Sequence, residues 1–429
     1  MTMETLALLG GTPVRTTPFP RHPIIGPEEK AAVAEVMDSS ELSSFIASQG
    51  PNFLGGRKVK EFEERFAAYH GVAYAVSFNS ATAALHAAVV AVGVNPGDEV
   101  IATPYSFSAS AACALMHNAV PVFADVEEDI YCLDAKAVAA AVTPLTRAMI
   151  PVHLFGHPAD VDGLLAVARS HRLKVIEDCA QAPGALYKGK KVGLFGDCAI
   201  FSFTENKTIT TGEGGMLITN DADIAEVARL VRNHGEVIAP APGARARPSA
   251  ILGWNYRLTE LQAALGIAQF AKLDALNAAR SELAGHLSKA LAGNRALTPP
   301  VVRPGCTHVF YNYALKYDDE AAGIPRATFV KALAAEGIPF GAGYVPPLYL
   351  NPIYQNRDAF AFSHYTGSVS YAKGICPVTE RLHERDLVLT QIQRPPATAA
   401  DMDDVVRGIE KVLAAAPALR DHALAGSRA

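Results

Sequence analysis

From Val72 onward the chain alternates short runs rich in β-branched and aromatic residues with longer Ala-rich runs whose apolar positions recur at helical spacing. This alternation constrains the fold more than any other feature. Strands separated by helix-length segments pair in parallel through crossover connections, and both faces of the resulting sheet are covered. The strand-like runs cover 74–78, 99–103, 120–124, 148–153 and 173–177, and the helical runs between them cover 81–92, 108–117, 135–141 and 161–169. The pattern predicts an α/β fold in which a mostly parallel sheet is sandwiched by helices.

A chain of 429 residues exceeds the size at which one core keeps growing, so a large domain with a smaller companion is expected. A helical run at 221–232 is followed by a long helical pattern at 259–291, with room for one break, of the kind that bridges two domains. Beyond Asn294 the texture changes to Pro/Gly-rich segments around 308–317, a helix at 326–336, an irregular Gly/Pro/Tyr stretch at 341–354 and a final helix at 400–414. The expected division is an N-terminal arm at 1–24, a large α/β domain at 25–265, a bridging helix with a small C-terminal α+β domain at 266–416, and a disordered tail at 417–429.

Half the residues are apolar, 19% are charged and the formal net charge is -5, which gives no electrostatic reason to expect a nucleic-acid or anionic-membrane partner. The first 20 residues lack the pattern of a secretory signal, and the apolar stretch 81–94 is interrupted by His86 and falls short of the roughly 20 residues of a membrane span. A cytoplasmic protein is expected. Cys113, Cys132, Cys179, Cys198, Cys306 and Cys376 form no C-x-x-C pair, which argues against a zinc site or a disulfide framework, so no metal is expected.

In an open parallel sheet the ligand site lies beyond the carboxyl ends of the strands. Four such places carry chemistry. At Asn79, Ser80, Ala81 and Thr82 a strand hands over to a helix whose N-terminus can hold a phosphate; the plain alternative is an N-cap. Phe107, in Pro104-Tyr105-Ser106-Phe107, can stack on a flat cofactor or pack in the core. Asp178 follows a buried strand, with Gln181 three residues on, and a carboxylate there can hold a protonated pyridine nitrogen; the alternatives are a solvated carboxylate or a metal ligand. Lys207 lies between Phe201-Ser202-Phe203 and Gly212-Glu213-Gly214-Gly215, a turn that allows close backbone approach to a cofactor; a solvated loop lysine is the alternative.

Other residues have plainer readings. His153 can touch a substrate or serve as a structural histidine, and His234 with Arg245 and Arg247 can meet a nucleotide diphosphate or belong to a solvated loop. Gly10-Gly11 lacks the rest of a dinucleotide fingerprint.

Taken with Asn95-Pro96-Gly97-Asp98-Glu99-Val100-Ile101, Pro151-Val152-His153-Leu154-Phe155-Gly156, the 177–184 segment, Lys188-Gly189-Lys190 and Gly253-Trp254-Asn255-Tyr256-Arg257, the chain resembles the DegT/DnrJ/EryC1/StrS sugar aminotransferases, a branch of the fold-type I pyridoxal-phosphate enzymes. The resemblance extends from about Pro23 to about Leu413. It implies that Lys207 carries pyridoxal 5'-phosphate and shuttles the proton, that Asp178 pairs with the pyridine nitrogen, that Gln181 lies near the phenolic oxygen and that Phe107 stacks on the ring. Ala81, Thr82 and Ser202 would cup the phosphate, and Asn255 would reach it from the other subunit of a homodimer. The implied reaction moves an amino group from glutamate or glutamine to the ketone of a nucleotide-linked keto-sugar or a keto-cyclitol. Two departures stand out: Ser80-Ala81-Thr82 replaces the family's Ser-Gly-Thr, and the 39–56 segment is longer than usual. A sugar dehydratase of the same family would carry histidine in place of Lys207. A non-catalytic regulatory protein would not need the intact set of Lys207, Asp178 and Gln181.

Overall fold

The computed structural model describes residues 4–45, 51–236 and 249–420. Its central sheet is built from β1 (Tyr74–Phe78), β2 (Glu99–Ala102), β3 (Val120–Phe123), β4 (Thr146–Ile150) and β5 (Lys174–Asp178), then, after a small antiparallel hairpin of β6 (Leu186–Tyr187) and β7 (Lys190–Lys191), β8 (Cys198–Ser202) and β9 (Gly215–Thr219). The strand order is β1-β9-β8-β5-β4-β2-β3. Strands β3, β2, β4, β5 and β8 pair in parallel, while β9 runs antiparallel to both of its neighbours, β8 and β1. The fourth strand starts and ends earlier than its expected 148–153; Val152 makes only an isolated bridge to Asp178.

Successive residues of each strand enter opposite layers, as the two-residue period requires. The first helices in chain order are α1 (Pro27–Ser39), α2 (Arg57–His70), α3 (Ala81–Ala91), α4 (Ala109–Met116), α5 (Ala135–Ala141), α6 (Val161–His171) and α7 (Ala222–Arg232). Val76, Ile200 and Leu217 pack beneath α3, α4 and α7. Ala75, Ala199, Phe201 and Met216 pack on the other face, against Phe62 and Phe66 of Arg57–His70 and Ala263 of Glu260–Phe270. Burial on both faces explains why these strands read as near-continuous apolar runs.

The smaller sheet joins β10 (Leu297–Thr298), β11 (Tyr313–Tyr317), β13 (Leu387–Thr390) and β12 (Gly341–Ala342) in that order, all antiparallel. Leu287, Phe329, Leu333, Val405 and Ile409 from three helices share one core with Leu315 of this sheet. The N-terminal arm belongs to the same unit. Leu6 is 1% exposed in that core, the backbone N–H groups of Ala7 and Val14 donate to Glu336 at 2.7 and 3.0 Å, and Arg15 pairs with Asp401 and Asp404 at 2.7 and 2.8 Å.

The long 259–291 pattern is two helices, Glu260–Phe270 and Leu273–Ala290, broken at Ala271 and Lys272. The first, inside which the expected boundary at 265/266 falls, packs on helices of the large domain, and the second packs on Ala399–Ala414. The tail expected from Pro417 begins too early. Residues 416–420 are helical and Leu419 is 1% exposed in the small-domain core, while 421–429 lie outside the described residues. Among the described residues no helix is long and apolar enough to cross a membrane.

Candidate active site

The carboxyl ends of β5 and β8 and the start of α3 enclose a cavity of about 390 Å³. Ser80, Ala81, Thr82, Phe107, Asp178, Gln181, Ser202 and Lys207 all line it. A larger cleft of about 970 Å³, between the N-terminal arm and Ala399–Ala414, contains none of them, so size alone does not locate the chemistry.

One end of the cavity suits an anion. Ser80 has an extended backbone, and its Oγ accepts the Ala83 N–H at 3.1 Å while its carbonyl accepts that of Ala84 at 3.1 Å. Ser80 is an N-cap, and the cap leaves the first two N–H groups of α3, those of Ala81 and Thr82, at the cavity, where they could meet an anion. Ala81 is already helical, so nothing here demands a glycine. Glycine is needed elsewhere. A Cβ on Gly215 would stand 2.5 Å from the Ser80 carbonyl oxygen and 2.7 Å from the Ala81 nitrogen. The Gly-rich turn thus lets β9 pack behind the helix start, and its Glu213 lines the cavity. Ser202 faces the cavity because Phe201 and Phe203, on either side of it, turn into the Phe66 cluster with ring centroids at 5.0 and 5.7 Å.

Asp178 is 3% exposed. Its Oδ2 accepts from Ser110 Oγ at 2.8 Å and its Oδ1 from the Ala180 N–H at 3.0 Å. Burial raises its pKa above the usual carboxylate range, against the opposing pull of these donors and of the Lys207 charge. A cation seated against it would favour the ionised form.

The neighbouring Glu177 points the other way and is not a solvated strand end. Burial would raise its pKa, but hydrogen bonds from His153 and from the backbone N–H groups of Gly196 and Gly193 hold it below the ordinary value. His153 Nδ1 accepts the Ala159 N–H at 3.0 Å, which leaves Nε2 to donate to Glu177 Oε2 at 3.0 Å. Both histidine nitrogens are engaged and His153 does not line the cavity, so it is a structural histidine. His153, Glu177 and Cys179 lie within ligand distance of one another, yet Glu177 is already committed to three backbone N–H groups at 2.7–2.9 Å and burial holds the Cys179 thiol well above its usual pKa.

Gln181 Oε1 accepts the Phe155 N–H at 2.9 Å, which fixes the amide so that Nε2 is the donor; one of its hydrogens goes to Tyr344 Oη at 3.1 Å. Lys207 is 9% exposed, with Nζ 4.4 Å from the Tyr311 ring centroid and its carbonyl 2.9 Å from His22 Nε2. Phe107 is 61% exposed and leaves a ring face at the cavity mouth, so the core-packing alternative does not hold.

Asn255 lies outside the cavity of its own chain. It is exposed, bridges to Asn233, and its carbonyl accepts from Asn79 Nδ2 at 3.3 Å. His234 sits at the edge of the 237–248 stretch, and Arg245 and Arg247 lie outside the described residues. The sequence reading missed Ser110, Tyr311 and Tyr344. The spacing of Ser110 in its helix is a usable signal, but the two tyrosines come from irregular small-domain segments with no periodicity.

The sequence pattern of the DegT/DnrJ/EryC1/StrS aminotransferase family matches residues 24–410. The chain belongs to this family. L-glutamine:2-deoxy-scyllo-inosose aminotransferase of Streptoalloteichus tenebrarius is 39% identical over 419 residues, covering 95% of this chain and 97% of that relative. GDP-perosamine synthase of Caulobacter vibrioides is 42% identical over 342 residues, covering 78% of this chain and 87% of that relative. An aminotransferase structure from Psychrobacter cryohalolentis matches with a TM-score of 0.83 at 30% identity, covering 92% of this chain and 99% of that one. This DegT/DnrJ/EryC1/StrS protein is therefore a fold-type I, pyridoxal-phosphate-dependent aminotransferase. Its cavity fits the cofactor: unpaired helix N–H groups and hydroxyls at one end suit a phosphate, a buried carboxylate suits a ring nitrogen, and a lysine amine lies beside the Tyr311 ring.

Proposed function

We propose that the enzyme is a homodimer that transfers the amino group of glutamine or glutamate to the ketone of a keto-cyclitol or a nucleotide-linked keto-sugar. The observation that carries this reading is the convergence of Lys207, Asp178, Gln181 and the α3 N-terminus on one cavity. The cyclitol acceptor and glutamine donor are supported by the printed activity of the relative from S. tenebrarius, which is similar over nearly the whole chain. The sugar acceptor is supported by the similarity to GDP-perosamine synthase.

Bound pyridoxal phosphate supplies an electrophilic carbon and a ring that stores the electron pair freed when a C–H bond breaks. Lys207 would hold the cofactor, and its free Nζ would take the proton from the donor's α carbon and later deliver one to the former carbonyl carbon of the acceptor. Asp178 keeps the ring nitrogen protonated, with Ser110 and the Ala180 N–H fixing its carboxylate. Gln181 offers its remaining N–H to the phenolic oxygen. The Ala81 and Thr82 N–H groups and the Thr82 and Ser202 hydroxyls bind the phosphate, Asn255 of the partner subunit completes that seat, and Phe107 covers the ring against water.

The test is a panel of inososes and keto-sugar nucleotides incubated with glutamine or glutamate labelled at the α nitrogen. Labelled amine on at least one acceptor is expected. No amination of any acceptor by either donor would contradict the reading.

A further inference from the structure

Asn255 is exposed, yet the backbone around it is held more firmly than an exposed loop needs. The Trp254 N–H donates to the Val231 carbonyl at 2.8 Å and the Tyr256 N–H to that of Arg232 at 3.0 Å, which lays the segment along the end of α7. Gly253 permits this approach: a Cβ there would stand 2.2 Å from the Gly235 nitrogen and 2.7 Å from the Leu230 carbonyl oxygen. As in a strand, alternate side chains separate. Trp254 and Tyr256 turn together onto the core under α3, their rings parallel with centroids 5.9 Å apart and the Trp254 ring 4.5 Å from that of buried His86. Asn255, between them, faces outward.

Two side chains tie this segment to α3. Tyr256 Oη lies 3.1 Å from His86 Nδ1, and Asn79 Nδ2 donates to the Asn255 carbonyl at 3.3 Å, beside a backbone bond from the Asn79 N–H to the Tyr256 carbonyl at 2.8 Å. His86 belongs to α3, and Asn79 stands immediately before Ser80, the N-cap of that helix, whose first residues Ala81 and Thr82 line the chain's own lysine cavity. We infer that Asn79 and Tyr256 are positioning residues that hold Asn255 ready for the cofactor phosphate of the other subunit, which rests on the proposed reading of Asn255 as a residue of the partner's site. Each chain then builds the helix seat of its own site and, on the same helix, the mount for a donor to the other. A donor presented on a loose loop loses conformational freedom each time it binds, and a backbone fixed beforehand does not. A tether that served only the helix start of its own chain would place the defect of its loss at the opposite site.

Heterodimers of two differently tagged chains separate the two sites. One chain always carries Lys207→Ala, so pyridoxal phosphate titrated into the cofactor-free protein develops the visible absorbance of a lysine adduct only at the site built on the other chain's Lys207. With Asn79→Ala and Tyr256→Phe placed on the Lys207→Ala chain, the reporting site keeps its own helix start but receives a loosely held Asn255. Its cofactor affinity is expected to fall at least about fivefold, as partial loss of a hydrogen bond to a charged group implies. With the same pair placed on the chain whose Lys207 is intact, affinity is expected to stay within about twofold of the heterodimer without the pair. Normal binding in this second arrangement also shows that the substituted chain folds. Equal losses in both arrangements, a loss only in the second, or no loss in either overturns the inference. If the pair prevents dimer assembly, Asn79→Ala alone, which removes a single amide, decides by the same comparison. Asn255→Ala on the Lys207→Ala chain keeps the underlying reading separate. A loss there without a loss from the pair overturns only the positioning role, whereas no loss there overturns the shared site and the inference with it.

Discussion

Burial holds the Asp178 carboxyl above its ordinary pKa, and the proposed reading makes it the partner of a cationic ring nitrogen. Two outcomes follow for Asp178→Asn. Activity should fall by about three orders of magnitude or more, because a neutral amide cannot keep the ring nitrogen protonated. The cofactor-free variant should be no less stable than wild type at neutral pH. A folded-state pKa above the unfolded one means that wild type loses stability as pH rises through that interval, so the advantage of the amide should shrink as pH falls below the usual carboxylate range. Thermal melts of both cofactor-free proteins across pH check the sign, and near-normal turnover would show that another group serves the ring. Asp178 was legible in sequence because it ends a buried strand, and Lys207 because of its flanking residues. Tyr311 and Tyr344 were not, because they come to the cavity from the other domain.

At the scale of elements, the helix start proposed to receive the phosphate depends on the strand behind it. Gly215→Ala would press a methyl group into the Ser80–Ala81 backbone, where no flexible side chain can yield. Cofactor affinity should drop at least about tenfold with the fold retained. Equilibrium titration with pyridoxal phosphate measures this, and unchanged affinity would mean that the helix start does not seat the phosphate. Parallel strands interleaved with helices were readable because periodicity and length separate them. The antiparallel insertion of β9 between β1 and β8 was not, since a run of buried apolar residues such as Met216, Leu217 and Ile218 carries no sign of strand direction. Two-residue strands such as Gly341–Ala342 are too short to have a period.

For the whole molecule, the position of Asn255 outside its own cavity motivates a dimer whose sites are shared. Mixing Asn255→Trp with Lys207→Ala should restore activity, because in the heterodimer one site receives both defects and the other receives neither. Absence of recovery after confirmed subunit exchange would place Asn255 outside the site. The N-terminal arm illustrates what long range adds: Leu6 and Arg15 look like a loose terminus in sequence, yet they complete the small-domain core and its ion pairs. All of this chemistry hangs on one amine. The most direct measurement is borohydride reduction of the cofactor-loaded protein followed by peptide mapping. The account predicts loss of the yellow colour and a single cofactor adduct on the peptide that contains Lys207; an adduct on any other lysine, or none, would contradict it.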